Sequence, residues 1–215
     1  SPTFTSQVFS THLARLAPHL PWLWLIGTPL TFAWLALGLA GAERLRLRGE
    51  PIVTGPVRTA CDRLRESLGI TREVALATCE RIATPVLVGI VRPIILLPPA
   101  MLSGSTPDEL EMVLLHELAH VRRWDNLVNL AQRIVEAVLF FHPVVWLVSH
   151  WVRQEREACC DALVVAHTNE PHRYAETLVH LAARARFSGP QMASTLGRHP
   201  LTVRIRRILR MEDEE

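Results

Sequence analysis

Lysine is absent from this chain of 215 residues, so all 23 basic side chains other than histidine are arginines. A lysine nucleophile or a lysine Schiff base is therefore excluded. Cysteine is scarce as well: the four cysteines, at positions 61, 79, 159 and 160, form no CxxC pair, and two of them are adjacent. This arrangement excludes a disulfide scaffold and a zinc ribbon, and it is typical of a reduced, cytosolic compartment.

A large excess of one charge is also missing, since the 23 basic groups face 21 acidic groups and the net charge is +2. We therefore expect no nucleic-acid partner, although the mild basicity suits a surface that faces anionic lipid. The hydrophobic share of 49% excludes a disordered or fibrous chain. Length and composition together predict one principal domain with at most one small appendage.

Residues 16–42 contain no Asp, Glu or Arg and are long enough to cross a bilayer as a helix. A buried core helix is the alternative. Four arginines follow this segment (Arg44, Arg46, Arg48 and Arg58) and one, Arg15, precedes it. By the positive-inside rule we expect a flank at 1–15, a transmembrane helix at 16–42 and a cytoplasmic domain at 43–215. The chain starts with Ser-Pro, so we expect it to be a piece of a longer protein.

The rest of the chain shows a mixture of strand and helix patterns. Short apolar runs at 74–78, 85–91 and 94–97 predict a small antiparallel sheet, and their prolines predict that at least one strand is an edge. Helical spacing covers the ranges 57–68, 106–120, 152–165, 174–186 and 201–210. The apolar stretch 137–149 is short for a span, so we expect a helix–turn–helix that packs in the domain or lies against the membrane.

The helix that Thr106 opens carries the sequence HELAH at 116–120. Residues four apart in a helix share one face, so His116 and His120 can hold one zinc ion, and Glu117 can act as a base on its water. Satisfied core or surface histidines are the alternative. The helix is apolar around nearly its whole circumference, and polar groups in such a helix need a partner, which a metal supplies.

A catalytic zinc also needs a third protein ligand, and the predicted helix after residue 152 offers one. Glu157 and Asp161 lie four residues apart, so Glu157 can bind the metal while Asp161 accepts a hydrogen bond from a ligand histidine. A solvated charged face is the alternative, but it explains these two residues poorly because they share their side with small and apolar residues. Glu155 is assigned to the surface.

Several motifs in order resemble those of the membrane zinc metallopeptidases of the BlaR/MecR antirepressor type. They are VGIVRPIILLP, HELAHVRRWDNLVN, FFHPVVW and REACCDALV, and the resemblance covers residues 60–210. It implies a mainly helical, minimal gluzincin-like α+β domain in which His116, His120 and Glu157 bind Zn²⁺ and Glu117 is the base. It also implies a bacterial inner-membrane protein whose catalytic domain faces the cytoplasm.

The segment RHPLTVRI at 198–205 resembles the HPxxxRI segment of the HtpX and CAAX-prenyl proteases. In those proteases the arginine lies near the active site, so Arg204 is expected to neutralise a ligand carboxylate or to hold the developing oxyanion, with His199 as a weaker candidate. A basic helix face near lipid is the alternative. Asp125 matches the antirepressor pattern, either as a partner of a ligand or as a helix terminus, and Cys160 matches it as a small buried residue.

The predicted function is that of a membrane-bound zinc endopeptidase acting on a protein or peptide substrate, either a cytoplasmic transcriptional repressor or the chain itself. We expect the substrate to pair with an edge strand at 84–89. Further sensor or membrane segments are expected outside this sequence. The alternatives are an HtpX-like quality-control protease and a non-catalytic, zinc-binding signalling scaffold.

Overall fold

The computed structural model describes residues 20–187 and 201–210. Their helices are α1 (Leu20–Arg48), α2 (Pro56–Ser67), α3 (Pro99–Gly104), α4 (Pro107–Arg122), α5 (Asp125–Val138), α6 (Pro143–Thr168), α7 (Pro171–Phe187) and α8 (Leu201–Arg210). Their strands are β1 (Glu50–Pro51), β2 (Ala75–Thr78), β3 (Val86–Val88) and β4 (Ile94–Leu97). The predicted class, α+β and mainly helical, is confirmed.

The four strands form one sheet in the order β1-β2-β4-β3. The outer pairs are antiparallel, but β2 and β4 run parallel, so the prediction of a purely antiparallel sheet was wrong. The tight β3–β4 connection makes these two strands an antiparallel hairpin, and in it Gly89 has φ +88° and a Cβ there would lie 2.6 Å from the Arg92 carbonyl oxygen. Because β4 and not β3 lies beside β2, β3 is left at the edge, where the prolines predicted an edge strand.

Helix α1 is long and apolar enough to cross a membrane over Pro21–Arg48, and its most apolar window is not buried in the protein. Its last turns differ from the rest, because Ala42 and Leu45 pack against the apolar cluster on the sheet that includes Val88 and Leu96. The helix therefore continues through the boundary expected between residues 42 and 43. Residues 16–19 and the expected flank at 1–15 lie outside the described residues.

The chain between residues 125 and 168 forms a helical hairpin. Helix α5 ends at Val138, and α6 begins at Pro143, as a proline in the first helical turn favours. We predicted a break between a hairpin that ends near residue 150 and a helix at 152–165, but α6 runs from Pro143 to Thr168 without interruption. The polar residues near position 150 do not end the helix, because it contains no proline or glycine after its first turn.

Helix α4 lies at the centre of the domain. Thr106 forms the predicted capping box with Glu109, which fixes the first turn. Leu114, Leu115 and Leu118 are at most 1% exposed and belong to the main core cluster, which also includes residues of α2, α6, α7 and the sheet. Because this core surrounds α4, the polar residues in its last turns have fixed positions.

Candidate metal centre

The two histidines of α4 lie side by side at the end of that helix. The ring centroids of His116 and His120 are 4.8 Å apart, and the rings are perpendicular. His116 is 9% exposed, and the flanking Leu115 and Ala119 are buried. The i and i+4 spacing thus brings both imidazoles to one face of a buried helix, as the sequence predicted.

Helix α6 brings Glu157 to the same point. One Glu157 carboxylate oxygen lies 3.6 Å from Nε2 of His116, and the other lies 3.8 Å from Nε2 of His120. Three potential ligand atoms from these residues all lie within 4.8 Å of one another. Ligand distances of about 2.0–2.2 Å around a tetrahedral zinc put neighbouring ligand atoms about 3.4 Å apart. The two nitrogens and one carboxylate oxygen therefore have spacings close to those that a bound zinc ion would require.

Asp125 fixes the orientation of His120. Nδ1 of His120, the ring nitrogen that faces away from Glu157, lies 2.7 Å from a carboxylate oxygen of Asp125, which is 5% exposed. Trp124 takes a left-handed backbone conformation, with φ 59°, and this turns the chain from α4 into α5 so that Asp125 faces back toward α4. The Arg72 guanidinium stacks on the Trp124 ring at 3.8 Å and also bonds the Val121 carbonyl, so the turn is fixed.

Tyr174 and Asp161 both contact Nδ1 of His116, the ring nitrogen that faces away from Glu157. The hydroxyl of Tyr174, on α7, lies 2.9 Å from Nδ1 of His116 and donates to Asp161 at 2.7 Å. Asp161 also approaches Nδ1 directly, at 3.3 Å. Both histidines therefore direct Nε2 toward Glu157 and Nδ1 toward a polar partner, which is the arrangement of metal-binding histidines whose tautomer is fixed by a carboxylate.

Sequence reasoning missed Tyr174. It is the only tyrosine of the chain and is fully buried. A buried tyrosine hydroxyl needs a hydrogen-bond partner, so its position among the apolar residues of a predicted helix was a usable signal. Burial raises the pKa of Tyr174 well above its usual value, which keeps the hydroxyl protonated and able to donate to Asp161.

Arg204, on α8, contacts both carboxylates of α6. Its guanidinium donates two hydrogen bonds to Asp161, at 2.8 and 2.6 Å, and lies 3.7 Å from Glu157. Its side chain is 11% exposed, whereas Arg206 and Arg207 are exposed, so Arg204 does not belong to the basic face of the helix. The guanidinium thus lies where it can neutralise a ligand carboxylate. His199 lies outside the described residues.

The charges of the cluster shift the pKa values of its members. Burial lowers the pKa of His116, but hydrogen bonds with Asp161 and Glu157 outweigh it and raise that pKa to about 9. Burial raises the pKa of Glu157, but the hydrogen bond and charge of His116 outweigh it and lower that pKa to about 2. The metal-free site therefore holds a proton on His116 at neutral pH, and a zinc ion must displace it, because only unprotonated imidazole nitrogen binds zinc.

Cys160 lies behind His120 and is fully buried. Its sulfur is 3.3 Å from Nδ1 of His120 and 3.6 Å from Asp125, so these three residues form a second group with metal-ligand spacing. Burial and the negative charge of Asp125 raise the pKa of the Cys160 thiol. The group containing Glu157 offers two imidazole nitrogens and a carboxylate, the donor set of a catalytic zinc site, so it is the better candidate.

The two other glutamates of the motifs differ in position. Glu117 directly follows His116 on α4 and is partly buried, and no hydrogen bond or ion pair of its carboxylate is found among the described residues. Glu155 has a side chain 65% exposed and paired with Arg207, as expected for a surface residue. Glu117 is therefore a carboxylate without a described partner in the same helical turn as the two histidines.

Known proteins show related sequences. The chain is 36% identical over 101 residues to the regulatory protein BlaR1 of Bacillus licheniformis. This match covers 47% of this chain and 17% of BlaR1. The chain is 24% identical over 110 residues to the methicillin resistance mecR1 protein of Staphylococcus aureus. This match covers 50% of this chain and 19% of the mecR1 protein. The regulatory protein BlaR1 of S. aureus is 23% identical over 125 residues, a match that covers 57% of this chain and 21% of that protein. The matches thus span about a fifth of the length of these relatives.

The profile of one peptidase family, described as BlaR1 peptidase M56, matches residues 5–208. That range includes the candidate metal ligands on α4 and α6, the carboxylates that hold them, and Arg204. It covers nearly the whole chain. The chain therefore belongs to the BlaR1 peptidase M56 family.

Proposed function

We propose that this chain is the zinc-dependent endopeptidase module of a membrane signalling protein, and that its substrate is a cytoplasmic repressor or its own polypeptide. The observation that carries the proposal is the convergence of Nε2 of His116, Nε2 of His120 and the Glu157 carboxylate, in a motif where Glu117 directly follows His116. Relatives named as regulatory and resistance proteins favour signalling over general quality control.

The proposed chemistry needs few groups. A zinc ion held by His116, His120 and Glu157 would supply Lewis acidity, which activates a water molecule and polarises a peptide carbonyl. Glu117 accepts the proton of the attacking water and returns it to the leaving amine, so no acyl-enzyme forms. Asp125 and Asp161 keep the imidazoles in the required tautomer.

We assign Arg204 a positioning role. Its guanidinium is committed to Asp161 through two hydrogen bonds and offsets the charge of Glu157. A group that already holds two carboxylates is poorly placed to bind an oxyanion as well. Its proposed function is therefore to keep Asp161 ionised and in place beneath His116.

The proposed location is the bacterial inner membrane with the catalytic domain on the cytoplasmic side. Helix α1 is the candidate span, and Arg44, Arg46 and Arg48 lie at its domain end. Arginines next to a span favour the cytoplasmic face. Reduced cysteines agree with that side, since the four cysteines of the chain are free.

Strand β3 is the proposed docking edge for an extended substrate. The carbonyls of Pro93 and Leu97 accept hydrogen bonds from the β2 side of the sheet. Successive residues of a strand direct their backbone N–H and C=O groups to opposite neighbours, so Ile94 and Leu96 face β3. Their partners Val86 and Val88 therefore bond to β4, and the backbone N–H and C=O of Leu87 face outward. The Leu87 carbonyl accepts from Asn126 at 3.4 Å, which leaves its N–H for a substrate.

Replacing Leu87 with proline is expected to weaken substrate binding. The change removes the outward N–H, which an added substrate strand would use, and an edge position tolerates proline. We expect a higher KM for casein hydrolysis with unchanged zinc content. The Leu87→Ala variant, which keeps the N–H, is the control. Equal KM values in the two variants would show that the substrate does not pair with β3 at this residue.

The proposed function predicts that proteolysis depends on zinc. Fluorescein-labelled casein serves as a generic unfolded protein, and the detergent-solubilised chain is assayed before and after metal removal with phenanthroline. We expect hydrolysis to stop on removal and to return with Zn²⁺ but not with Mg²⁺, since two imidazoles favour zinc. Hydrolysis that persists in the metal-stripped chain, or that zinc fails to restore, would contradict the proposal.

A further inference from the structure

The hairpin formed by α5 and the first half of α6 carries a broad apolar surface that no other described element covers. We define residues 127–152 as the apolar hairpin. Its side chains at least 38% exposed include Leu139, Phe141, Val144, Trp146, Leu147 and Trp151. Such a continuous set of exposed aliphatic and aromatic side chains is rare on a protein surface that meets water, and it marks an interaction site.

This surface continues directly into that of α1, the candidate span. The tip of the apolar hairpin packs on α1 at Gly27, where a Cβ atom would lie 2.2 Å from the Phe140 ring. Trp24 donates to the Val138 carbonyl at 3.1 Å, and Thr31 donates to the Ala137 carbonyl at 2.8 Å. Glycine at a close contact and hydroxyl bonds between helices are typical of helix packing within membranes.

The turn of the apolar hairpin needs little water to satisfy its backbone. Helix ends leave carbonyl groups without partners, and in lipid these groups must bond within the protein. Side chains supply three of the partners, because Trp146 donates to the Phe140 carbonyl at 2.8 Å in addition to the bonds from α1. The carbonyls of Leu139 and His142 accept from backbone N–H groups of the turn.

The ionisable groups of the apolar hairpin differ in exposure, since Arg133, His142 and His150 are exposed and Glu136 is buried. Glu136 is 3% exposed and accepts from Arg153 at 2.8 Å and from Arg133 at 3.3 Å. Gln132 donates to the Ser149 carbonyl at 2.8 Å. Ionisable groups within a bilayer are expected to pair with one another, as Glu136 pairs with these two arginines.

Distances along α1 give the depth of the tip. Thr31 is thirteen residues before Arg44, which corresponds to about 20 Å of helix. If the arginines at the end of α1 lie at the membrane surface, the tip of the apolar hairpin is about 20 Å inside a hydrocarbon core about 30 Å thick. A hairpin packed there cannot remain in water while α1 is in lipid.

We propose that the apolar hairpin is inserted into the same bilayer as α1, with its tip beyond the midplane and its exposed face against lipid acyl chains. The inference rests on the part of the proposed function in which α1 crosses a membrane, and it does not depend on zinc or on proteolysis. Helix α6 then runs from the bilayer to the metal centre, because Glu157 lies fourteen residues after Pro143, about 21 Å along the helix. The bilayer thereby positions the helix that carries the candidate third ligand.

Fluorescence quenching in vesicles tests this placement. A Cys159→Ser background removes the exposed cysteine and keeps the three buried ones. Single cysteines are introduced by Val144→Cys or Leu147→Cys on the apolar hairpin, by Leu37→Cys on α1, and by Val179→Cys on α7. Val179 is the matched control, with 46% exposure against 53% for Val144 and 49% for Leu147. Each variant is labelled with an environment-sensitive maleimide in vesicles of phosphatidylethanolamine and phosphatidylglycerol.

Labels on the apolar hairpin are expected to emit at shorter wavelength, to lose most of their emission to lipids with a nitroxide on the acyl chain, and to resist aqueous iodide. The label at position 179 is expected to show the opposite response. Quenching by nitroxide lipid at position 37 but not at 144 and 147 would overturn the inference and leave the span in place. Absence of quenching at position 37 as well would overturn the inference together with the membrane part of the proposed function.

Discussion

Replacing Glu117 with glutamine is expected to lower kcat for casein hydrolysis by about 10²–10⁴-fold, the usual contribution of a general acid–base group. The amide cannot accept the proton of the attacking water or return it to the leaving amine. Zinc content should stay at the parent value, because the candidate ligand atoms belong to His116, His120 and Glu157. Proteolysis and metal analysis on the same preparation measure both quantities.

The matched control for this change is Glu111→Gln on the same helix. Glu111 is paired with Arg63 on the protein surface, away from the metal centre. We expect its loss to leave kcat within a factor of two or so, as for exposed ion pairs generally. If the Glu117→Gln variant is as active as the parent, Glu117 is not the base. A chain that binds zinc and signals without cleavage would favour the scaffold alternative.

Replacing Asp161 with alanine is expected to produce the largest loss of stability in the domain. Asp161 is 2% exposed and accepts from both Arg204 and Tyr174, so its removal leaves a buried guanidinium without its main partner. Breaking a buried ion pair from one side costs about 3–5 kcal/mol of unfolding free energy. Loss of the carboxylate that orients a ligand histidine should also weaken zinc binding by about 10–100-fold.

Urea unfolding of the metal-free variant in detergent measures the stability change, and a competition titration measures the zinc affinity. The control is Asp62→Ala in α2, whose pair with Arg58 is only partly buried and should therefore contribute less, about 1 kcal/mol. Adding Arg204→Met to Asp161→Ala removes the unpaired charge, so it should recover part of the stability but not the zinc affinity. Equal stability losses in the Asp161→Ala and Asp62→Ala variants would contradict the buried network.

The features that short-range patterns encode were predictable from the sequence. The capping box at Thr106 located the start of α4, and the four-residue spacings on α4 and α6 selected the residues that the structure brings together. These patterns depend only on helix geometry, which is the same in every protein. Helix boundaries were less certain, and the continuity of α6 was missed because polar residues near its middle suggested an end.

The features that depend on contacts distant in sequence were not predictable in the same way. Strands of three or four residues carry no signal for their neighbours, so the parallel pairing of β2 with β4 was hidden. Tyr174 reaches His116 across 58 positions of the chain, and only packing of α7 on α4 shows that contact. Whether 137–149 packs in the domain or meets lipid depends on its contact with α1, which the sequence pattern does not contain.

The zinc content per chain of the purified protein, of Glu157→Ala and of Glu155→Ala tests most directly whether His116, His120 and Glu157 form a zinc site. The two glutamates lie two residues apart on α6, but Glu157 faces the histidines and Glu155 is exposed. We predict about one zinc per chain in the parent and in Glu155→Ala, with a clear loss in Glu157→Ala, as expected when one of three protein ligands is removed. A parent chain that holds no zinc when zinc is supplied, or a Glu157→Ala variant that holds as much as the parent, would contradict the account.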